Sequence, residues 1–507
     1  MTGEPKQVAI IGAGPGGLVA ARFLLAHGFE PVLFEQSSHL GGQWNQGAPH
    51  SGVWPGMYTN TSRVLSRFSD LEWPPGTMMF PRNEEALAYL ERYAEKFGIC
   101  DRIRLRHRVD RLESAGDGRW AVTHSAADGT VRTEVYPRVI VASGRYHHPR
   151  PPEVPGLESF SGAGGVEHTF HFRDANRYAG QRVLVAGGAI SAVEIAPELV
   201  FAGAARVLSC MRRQRYVLQR VVAGVPIDYL VFTRFAVLAK ENLPLEFTRN
   251  RVKQFILRTS GTPQQWGALP ANEDPLLAGF TQNQFYLPLV NDGRIISKPW
   301  IRSIAGQRVT FEDGSSEEVD AILLATGFRL DLPFLSPAIR QTVGAEGPAL
   351  RLFHHTFHPQ LPGLAFLGIF HQGGPNWPPL ELQGRWITYV WSGACAAPDP
   401  DAMARDIAAQ QPSEAPLRMD ERCIDFARQA GVEPDLERWP EFKRALLFGP
   451  LATSSFRLSG PDALPDAAEI FAAEAAEFGL ITSPELSPQE RADLQVLEQA
   501  QAAAAVG

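Results

Sequence analysis

Val8-Ala-Ile-Ile-Gly-Ala-Gly-Pro-Gly-Gly17 runs from an apolar strand straight into a glycine loop. Helical spacing follows through Leu18, Ala21, Leu24 and Leu25, and a second apolar strand over 31–34 ends at Glu35. Strand, glycine turn, helix and strand in this order make a βαβ unit. Gly12, Gly14 and Gly17 have separate jobs in it. One makes the tight turn, one lets the backbone approach a pyrophosphate, and one lets helix and strand pack closely. The helix N-terminus offers amide donors to the phosphates. Glu35, 18 residues beyond Gly17, stands where a carboxylate can accept hydrogen bonds from a ribose hydroxyl pair. A purely structural glycine turn is the alternative, and the flanking strand, helix and acid argue against it.

The residues that follow, Leu40-Gly-Gly-Gln-Trp44, favour FAD over NAD as the dinucleotide. A second glycine pair there admits the pyrophosphate and ring system, which adds Gly42, Gln43 and Trp44 to the expected cofactor contacts. The same architecture opens again at Arg182-Val-Leu-Val-Ala-Gly-Gly-Ala-Ile-Ser191, with a helix over 192–201 and the strand Arg206-Val-Leu-Ser-Cys210. Each half closes on a similar strand and glycine turn, Val139-Ile-Val-Ala-Ser-Gly144 and Ala321-Ile-Leu-Leu-Ala-Thr-Gly327. Opening and closing glycines are 132 residues apart in the first half (12 to 144) and 140 in the second (187 to 327).

This pattern predicts an α/β fold with two Rossmann-like dinucleotide-binding domains, one inserted in the other. The expected division is a first part of the FAD domain over 1–165 and an NADPH domain over 166–335. The second carries a largely helical insert at about 215–290. The FAD domain then resumes over 336–480 with a helical C-terminal region, followed by a polar tail over 481–507. The proline-rich stretch 148–156 reads as a stiff linker.

In the second glycine loop Ala189 holds the second-glycine position, so its methyl moves the backbone slightly away from a pyrophosphate. Gly187, Ser191 and Ala192 remain its expected contacts. No acidic residue ends the next strand, which leads instead into Met211-Arg212-Arg213-Gln214-Arg215. Guanidinium groups at Arg212 and Arg213 suit a 2′-phosphate and favour NADPH over NADH. A merely solvated arginine turn is the plainer alternative.

At 507 residues, 44% hydrophobic and 20% charged, the chain has enough apolar content for two or three globular domains. Its net charge of −7 gives no reason to expect nucleic acid or an anionic membrane as a partner. Cys100, Cys210, Cys395 and Cys423 form no CxxC pair, which fits a reducing, cytoplasmic setting and excludes a cysteine-based disulfide reductase. No signal-peptide pattern and no window of membrane-spanning length is present.

Several further segments resemble the flavin-containing monooxygenases, the class B single-component family. Tyr58-Thr-Asn-Thr-Ser62 with Phe68-Ser-Asp-Leu71 is similar to that family's active-site segment. Phe160-Ser-Gly162 with His168 and Phe172 resembles its identifying motif, although five residues separate glycine from histidine where the family has three. The two glycines of the insertion suggest a loop that absorbs it. Ala325-Thr-Gly-Phe328, Glu381-Leu-Gln-Gly-Arg-Trp386, Phe448-Gly-Pro450, Phe456-Arg-Leu458 and Gly460-Pro461 extend the resemblance to about residues 5–475.

The resemblance implies that NADPH reduces FAD and that O2 adds to the reduced flavin at C4a. One oxygen of the resulting hydroperoxide then passes to a soft nitrogen or sulfur of a small-molecule substrate. Asn60 is the expected catalytic residue, since an amide both donates and accepts without titrating; capping a helix begun near Ser62 is its other reading. Thr61, Thr326 and Gln372 join the expected cofactor contacts. His168 is expected to be structural, at the domain junction. His354, His355 and His358 have no carboxylate placed nearby in sequence to make a metal site, and no metal is expected. Trp377, Trp386 and Trp391 read as core. A Baeyer–Villiger monooxygenase acting on ketones and an uncoupled NADPH oxidase stay open as alternatives, as does a homodimer.

Overall fold

The structure is a computed structural model, and it describes residues 6–411, 413, 415–479, 481 and 483–506. The chain forms two compact units, 1–148 with 228–237 and 329–486, and 149–227 with 238–328 and 487–507. The division therefore falls at 148/149 and 328/329, where the sequence reading placed boundaries at 165/166 and 335/336.

The first unit is built on a five-stranded parallel sheet in the order Leu364–Phe366, Arg138–Val141, Gln7–Ile11, Glu30–Glu35, Ile103–Leu105. Gln7–Ile11 is at its centre, and its last four residues are buried, as a near-continuous apolar run in a covered parallel sheet must be. The helix Pro15–Ala26 follows the glycine loop and packs against the helix Trp377–Ser392. The two helices meet at Gly384, where a Cβ would lie in ordinary van der Waals contact with Ala20 Cα at 3.5 Å. Trp377 and Trp386 are buried in this core and Trp391 is packed at its edge, as expected.

The second unit repeats the plan: Ile295–Pro299, Arg206–Met211, Arg182–Ala186, Ala321–Leu324, Gly165–His168, all parallel. The likeness extends to single bonds. Gly12 N donates to Phe34 O and Gly187 N to Cys210 O, both at 2.8 Å. Ala142 N donates to Ile11 O (3.0 Å) and Ala325 N to Ala186 O (2.8 Å). Each unit also inserts a three-stranded antiparallel sheet before its closing strand. These are Arg108–Gly116, Arg119–Ser125, Val131–Tyr136 and Ile301–Ala305, Arg308–Phe311, Ser316–Glu318.

Three expectations change. The stretch after His148 is not a free spacer: Val154 lies in the core of the second unit, and Ile304 N donates to Pro155 O at 2.9 Å. The insert at 215–290 carries helices at Ile227–Val231, Arg234–Asn242 and Leu245–Thr259, but also short strands such as Tyr216–Leu218 and Phe280–Gln282. Its residues 228–237 belong to the first unit. The tail forms the helix Pro488–Val506 and groups with the second unit. No helix among the described residues is long and apolar enough to cross a membrane.

Candidate functional site

In the first unit Gly12 and Gly17 of the glycine loop have no room for a side chain. Gly12 has φ +109°, and a Cβ on it would lie 2.6 Å from Ala142 O, while one on Gly17 would collide with Gly12 O. Gly14 and Gly42 face each other: a Cβ on Gly42 would lie 3.0 Å from Gly14 Cα, and one on Gly14 would lie 3.4 Å from Gly42 Cα. The helix opens at Pro15 with Gly14 as its cap and no side chain over the first-turn amides. Those amides lack intrahelical acceptors, which leaves a donor-lined cradle of the kind a pyrophosphate occupies.

Glu35 is buried beside this cradle, accepting from Ala13 N (Oε2, 3.0 Å) and Ser37 N (Oε1, 2.8 Å). Each oxygen still has a second lone pair to offer a hydroxyl. Gln43 braces the cradle from the side: its Nε2 donates to His50 O (2.7 Å) and Tyr146 O (3.1 Å), and its Oε1 accepts from Gly52 N (2.9 Å). Trp44 meets Trp377 edge-on at 6.1 Å. Ser143 Oγ and Gln372 Oε1 are among the buried polar atoms of this unit that have no hydrogen-bond partner. Gln372 Nε2 donates to Pro375 O at 2.6 Å, fixing which end of the amide stays unmatched. Bare glycine backbone, a carboxylate and unmatched polar atoms fit a dinucleotide.

The segment around Asn60 is irregular. No helix begins at Ser62, so the capping alternative for Asn60 falls away. Thr61 Oγ1 pairs with Ser66 Oγ at 2.7 Å, and Thr61 O accepts from Thr59 Oγ1 at 2.8 Å. Ser62 N donates to Asp228 Oδ2 at 2.6 Å. The sequence offered no sign of that contact, which joins residues 166 positions apart.

The later motif residues serve a buried charge network of the first unit. Glu381 accepts from Ser69 N (2.7 Å) and Ser69 Oγ (2.6 Å). Arg457 Nη1 donates to the same hydroxyl at 3.0 Å, and Arg385 Nη1 to Phe456 O at 3.0 Å. Arg22 pairs with Asp70 at 2.9 Å. Burial and the nearby Asp70 push the Glu381 carboxyl up, against the pull of Arg385 and Arg457. The motifs 68–71, 381–386 and 456–458 thus lock the segment after Asn60 to two other parts of the chain.

In the second unit a Cβ on Gly187 would collide with Ala325 O, the counterpart of the Gly12 contact. Ala189 caps the helix Ile190–Phe201, which carries Ser191, half-buried, and Ala192, fully buried, in its first turn. No acidic side chain stands there. Arg212 and Arg213 are exposed at the end of Arg206–Met211. Arg212 lies over the Trp300 ring at 4.7 Å, and Arg213 Nη1 donates to Leu277 O at 2.8 Å. Both cations are held at the position where a Rossmann unit meets the 2′ substituent of its adenosine. Thr326 Oγ1 donates to Arg150 O at 2.7 Å.

His168 donates from Nε2 to Gly327 O (3.0 Å) and accepts at Nδ1 from Phe170 N (3.1 Å), so both ring nitrogens are engaged. Burial pushes its pKa down. A neutral, fully bonded imidazole is structural, as expected. The longer segment before it is not all loop: it turns through Gly162 and Gly164, where a Cβ would collide with Asp320 O or Gln181 Oε1, and then enters the strand Gly165–His168. His354 pairs with Asp425, far along the chain, at 2.6 Å, an ion pair the sequence did not show. No group of three metal-ligating side chains is found among the described residues.

The chain matches the family described as flavin-binding monooxygenase-like over residues 5–475. It belongs to that family. Dimethylaniline monooxygenase (N-oxide-forming) 2 of Rattus norvegicus is 31% identical over 498 residues, covering 90% of this chain and 89% of the relative. Flavin-containing monooxygenase 2 of Homo sapiens is 29% identical over 495 residues, with the same shares. Among solved structures, S-allyl-L-cysteine S-oxygenase from Allium sativum is 25% identical with a TM-score of 0.62, covering 92% of this chain and 98% of that one. Cyclohexanone monooxygenase, at 18% identity and TM-score 0.61 over 84% and 97%, shares the fold. This member of the flavin-binding monooxygenases is an oxidoreductase whose cofactors are FAD and NADPH.

Proposed function

We propose that the protein transfers one atom of O2 to a soft nucleophilic nitrogen or sulfur of a small organic substrate. The observation that carries this reading is the likeness, along nearly the whole chain, to an N-oxide-forming and an S-oxygenating enzyme at 31% and 25% identity. When bound and reduced by NADPH, the flavin supplies the activation of O2 at its C4a position.

The chain's own residues bind, orient and shield. Gly12, Gly14, Gly17 and Gly42 give the FAD pyrophosphate a surface without side chains, and the first-turn amides donate to it. Glu35 accepts from the ribose, and Gln43 and Trp44 hold the wall of the cradle. Gln372 Oε1, buried and unmatched, is an acceptor for the ring edge. Asn60 carries an amide that donates and accepts at the reacting atoms, with Thr61 beside it. Gly187, Ser191 and Ala192 take the NADPH pyrophosphate, Arg212 and Arg213 its 2′-phosphate, and Thr326 supports the closing turn. Four free cysteines favour a reducing, cytoplasmic setting.

Turnover with a thioether, N,N-dimethylaniline and a cyclic ketone, each followed as product per NADPH consumed, tests the proposal. Sulfoxide and N-oxide close to one per NADPH are expected. An ester from the ketone as the main product supports a Baeyer–Villiger enzyme instead, and NADPH consumption matched by H2O2 with every substrate supports an oxidase.

A further inference from the structure

Asp228 is 1% exposed, and its Oδ2 accepts from the amide of Ser62 at 2.6 Å, with the Ser62 hydroxyl and the Tyr229 amide also acting on the carboxyl. Its other oxygen, Oδ1, is buried without a hydrogen-bond partner. Burying a carboxyl is costly unless hydrogen bonds offset it, and the bond to the Ser62 amide is the one that ties it to a distant part of the chain. The segment that delivers it is fastened on every side within the first unit. Tyr229 Oη donates to Glu474 O at 3.0 Å, Arg418 Nη2 to Val231 O at 3.1 Å, and Leu451 N to Phe232 O at 3.0 Å. Ser62 closes the irregular stretch that carries Asn60 and Thr61: Thr59 N and Arg63 N on either side donate to Pro81 O (2.7 Å) and Met79 O (2.9 Å), and the Ser62 amide between them is held by Asp228.

We infer that Asp228 is a positioning residue of the flavin site: by accepting the Ser62 amide it holds the backbone from which Asn60 projects. The inference rests on the role proposed above for Asn60. The acceptor, rather than the charge, is what the geometry requires, so an isosteric amide should replace the carboxylate. Asp228→Asn keeps an oxygen for Ser62, Asp228→Ala removes it, and Asp228→Leu removes it while refilling the space.

Two readouts on the purified holoenzyme test this. Hydrogen exchange at the Ser62 amide should speed up about tenfold or more in Asp228→Ala or Asp228→Leu, as for a lost hydrogen bond to a charged group, and stay close to wild type in Asp228→Asn. Oxygenated product per NADPH should fall in the same two variants, with H2O2 rising to match and the rate of flavin reduction by NADPH unchanged, and Asp228→Asn should restore it. Asp228→Leu stands in if Asp228→Ala does not fold. Unchanged Ser62 exchange in the variants without an acceptor overturns the assignment, as does an Asp228→Asn enzyme as uncoupled as Asp228→Ala. If the wild type itself makes only H2O2, the proposed oxygenation fails, and Ser62 exchange still decides the role of Asp228.

Discussion

A Cβ placed on Gly14 would lie 3.4 Å from the Cα of Gly42, so the two backbones face each other with only the width of a methyl group to spare. Gly14 has φ −78°, which any residue adopts, so its glycine is not required by the fold. Gly14→Ala is therefore expected to keep the melting temperature within about 2 °C, while the added methyl takes space from the FAD pyrophosphate and weakens FAD binding about tenfold. Flavin absorbance per protein after extensive dialysis, beside a thermal melt, separates the two effects. Full flavin retention would show that the Gly14–Gly42 surface is not the pyrophosphate site.

Ala189 is the mirror case. It caps its helix at φ −102°, a position where alanine is a poor cap and glycine a better one. Ala189→Gly should lower the NADPH Kd severalfold and leave stability unchanged or raise it by up to about 1 kcal/mol, as when a poor cap residue gives way to a better one. An unchanged Kd from stopped-flow binding would mean that the methyl does not limit access to the second loop.

Arg212→Ala and Arg213→Ala together should raise the KM for NADPH about ten- to hundredfold, the range expected for losing charge-assisted bonds to a phosphate. The KM for NADH should move less than about threefold, because NADH has no 2′-phosphate to contact. Equal changes for both nucleotides would remove the 2′-phosphate assignment.

The Asp228 carboxyl is pushed up to about 6 by burial, opposed by the Ser62 amide. A folded-state pKa above the ordinary 3.8 means that the native protein binds this proton more tightly than the unfolded chain. Its stabilising contribution is thus complete below pH 4 and is lost as pH rises through about 6, a change of about 3 kcal/mol. Asp228→Asn has no such proton, so urea unfolding should show it gaining on the wild type by about that amount between pH 4 and pH 7. A constant difference across this window would contradict the buried, raised carboxyl.

Glu381→Ala leaves the Ser69 amide without its acceptor and Arg385 without its paired carboxylate, while Arg457 keeps Asp70 at 3.9 Å. A loss of about 3 kcal/mol or more is expected, as for any buried charge pair broken on one side. Urea unfolding of the holoenzyme would check this, and a loss under about 1 kcal/mol would show that the network relaxes around the gap.

Much of the fold was legible because its signals are local. The glycine loops at 12–17 and 187–191 lie within a few residues of the strands and helices they join, and Glu35 is placed by strand length alone. The pairing of opening and closing strands also showed, since similar apolar runs recur at similar offsets. The two three-stranded antiparallel sheets did not show, because their half-exposed strands mix charge and apolar residues without a clean alternation. Neither did the return of 228–237 to the first unit, which depends on where Tyr229, Val231 and Phe232 find partners far along the chain. The motifs at 381–386 and 456–458 were visible as residues but not as a charge network, since burial is what joins Glu381, Arg385 and Arg457. His354 and Asp425 escaped for the same reason.

The most direct test of coupled heteroatom oxygenation is turnover of a thioether with NADPH under 18O2, with the product analysed by mass spectrometry. One 18O in each sulfoxide molecule, formed close to one per NADPH consumed, is the predicted result. A product without 18O, or NADPH consumption that appears only as H2O2, would contradict it.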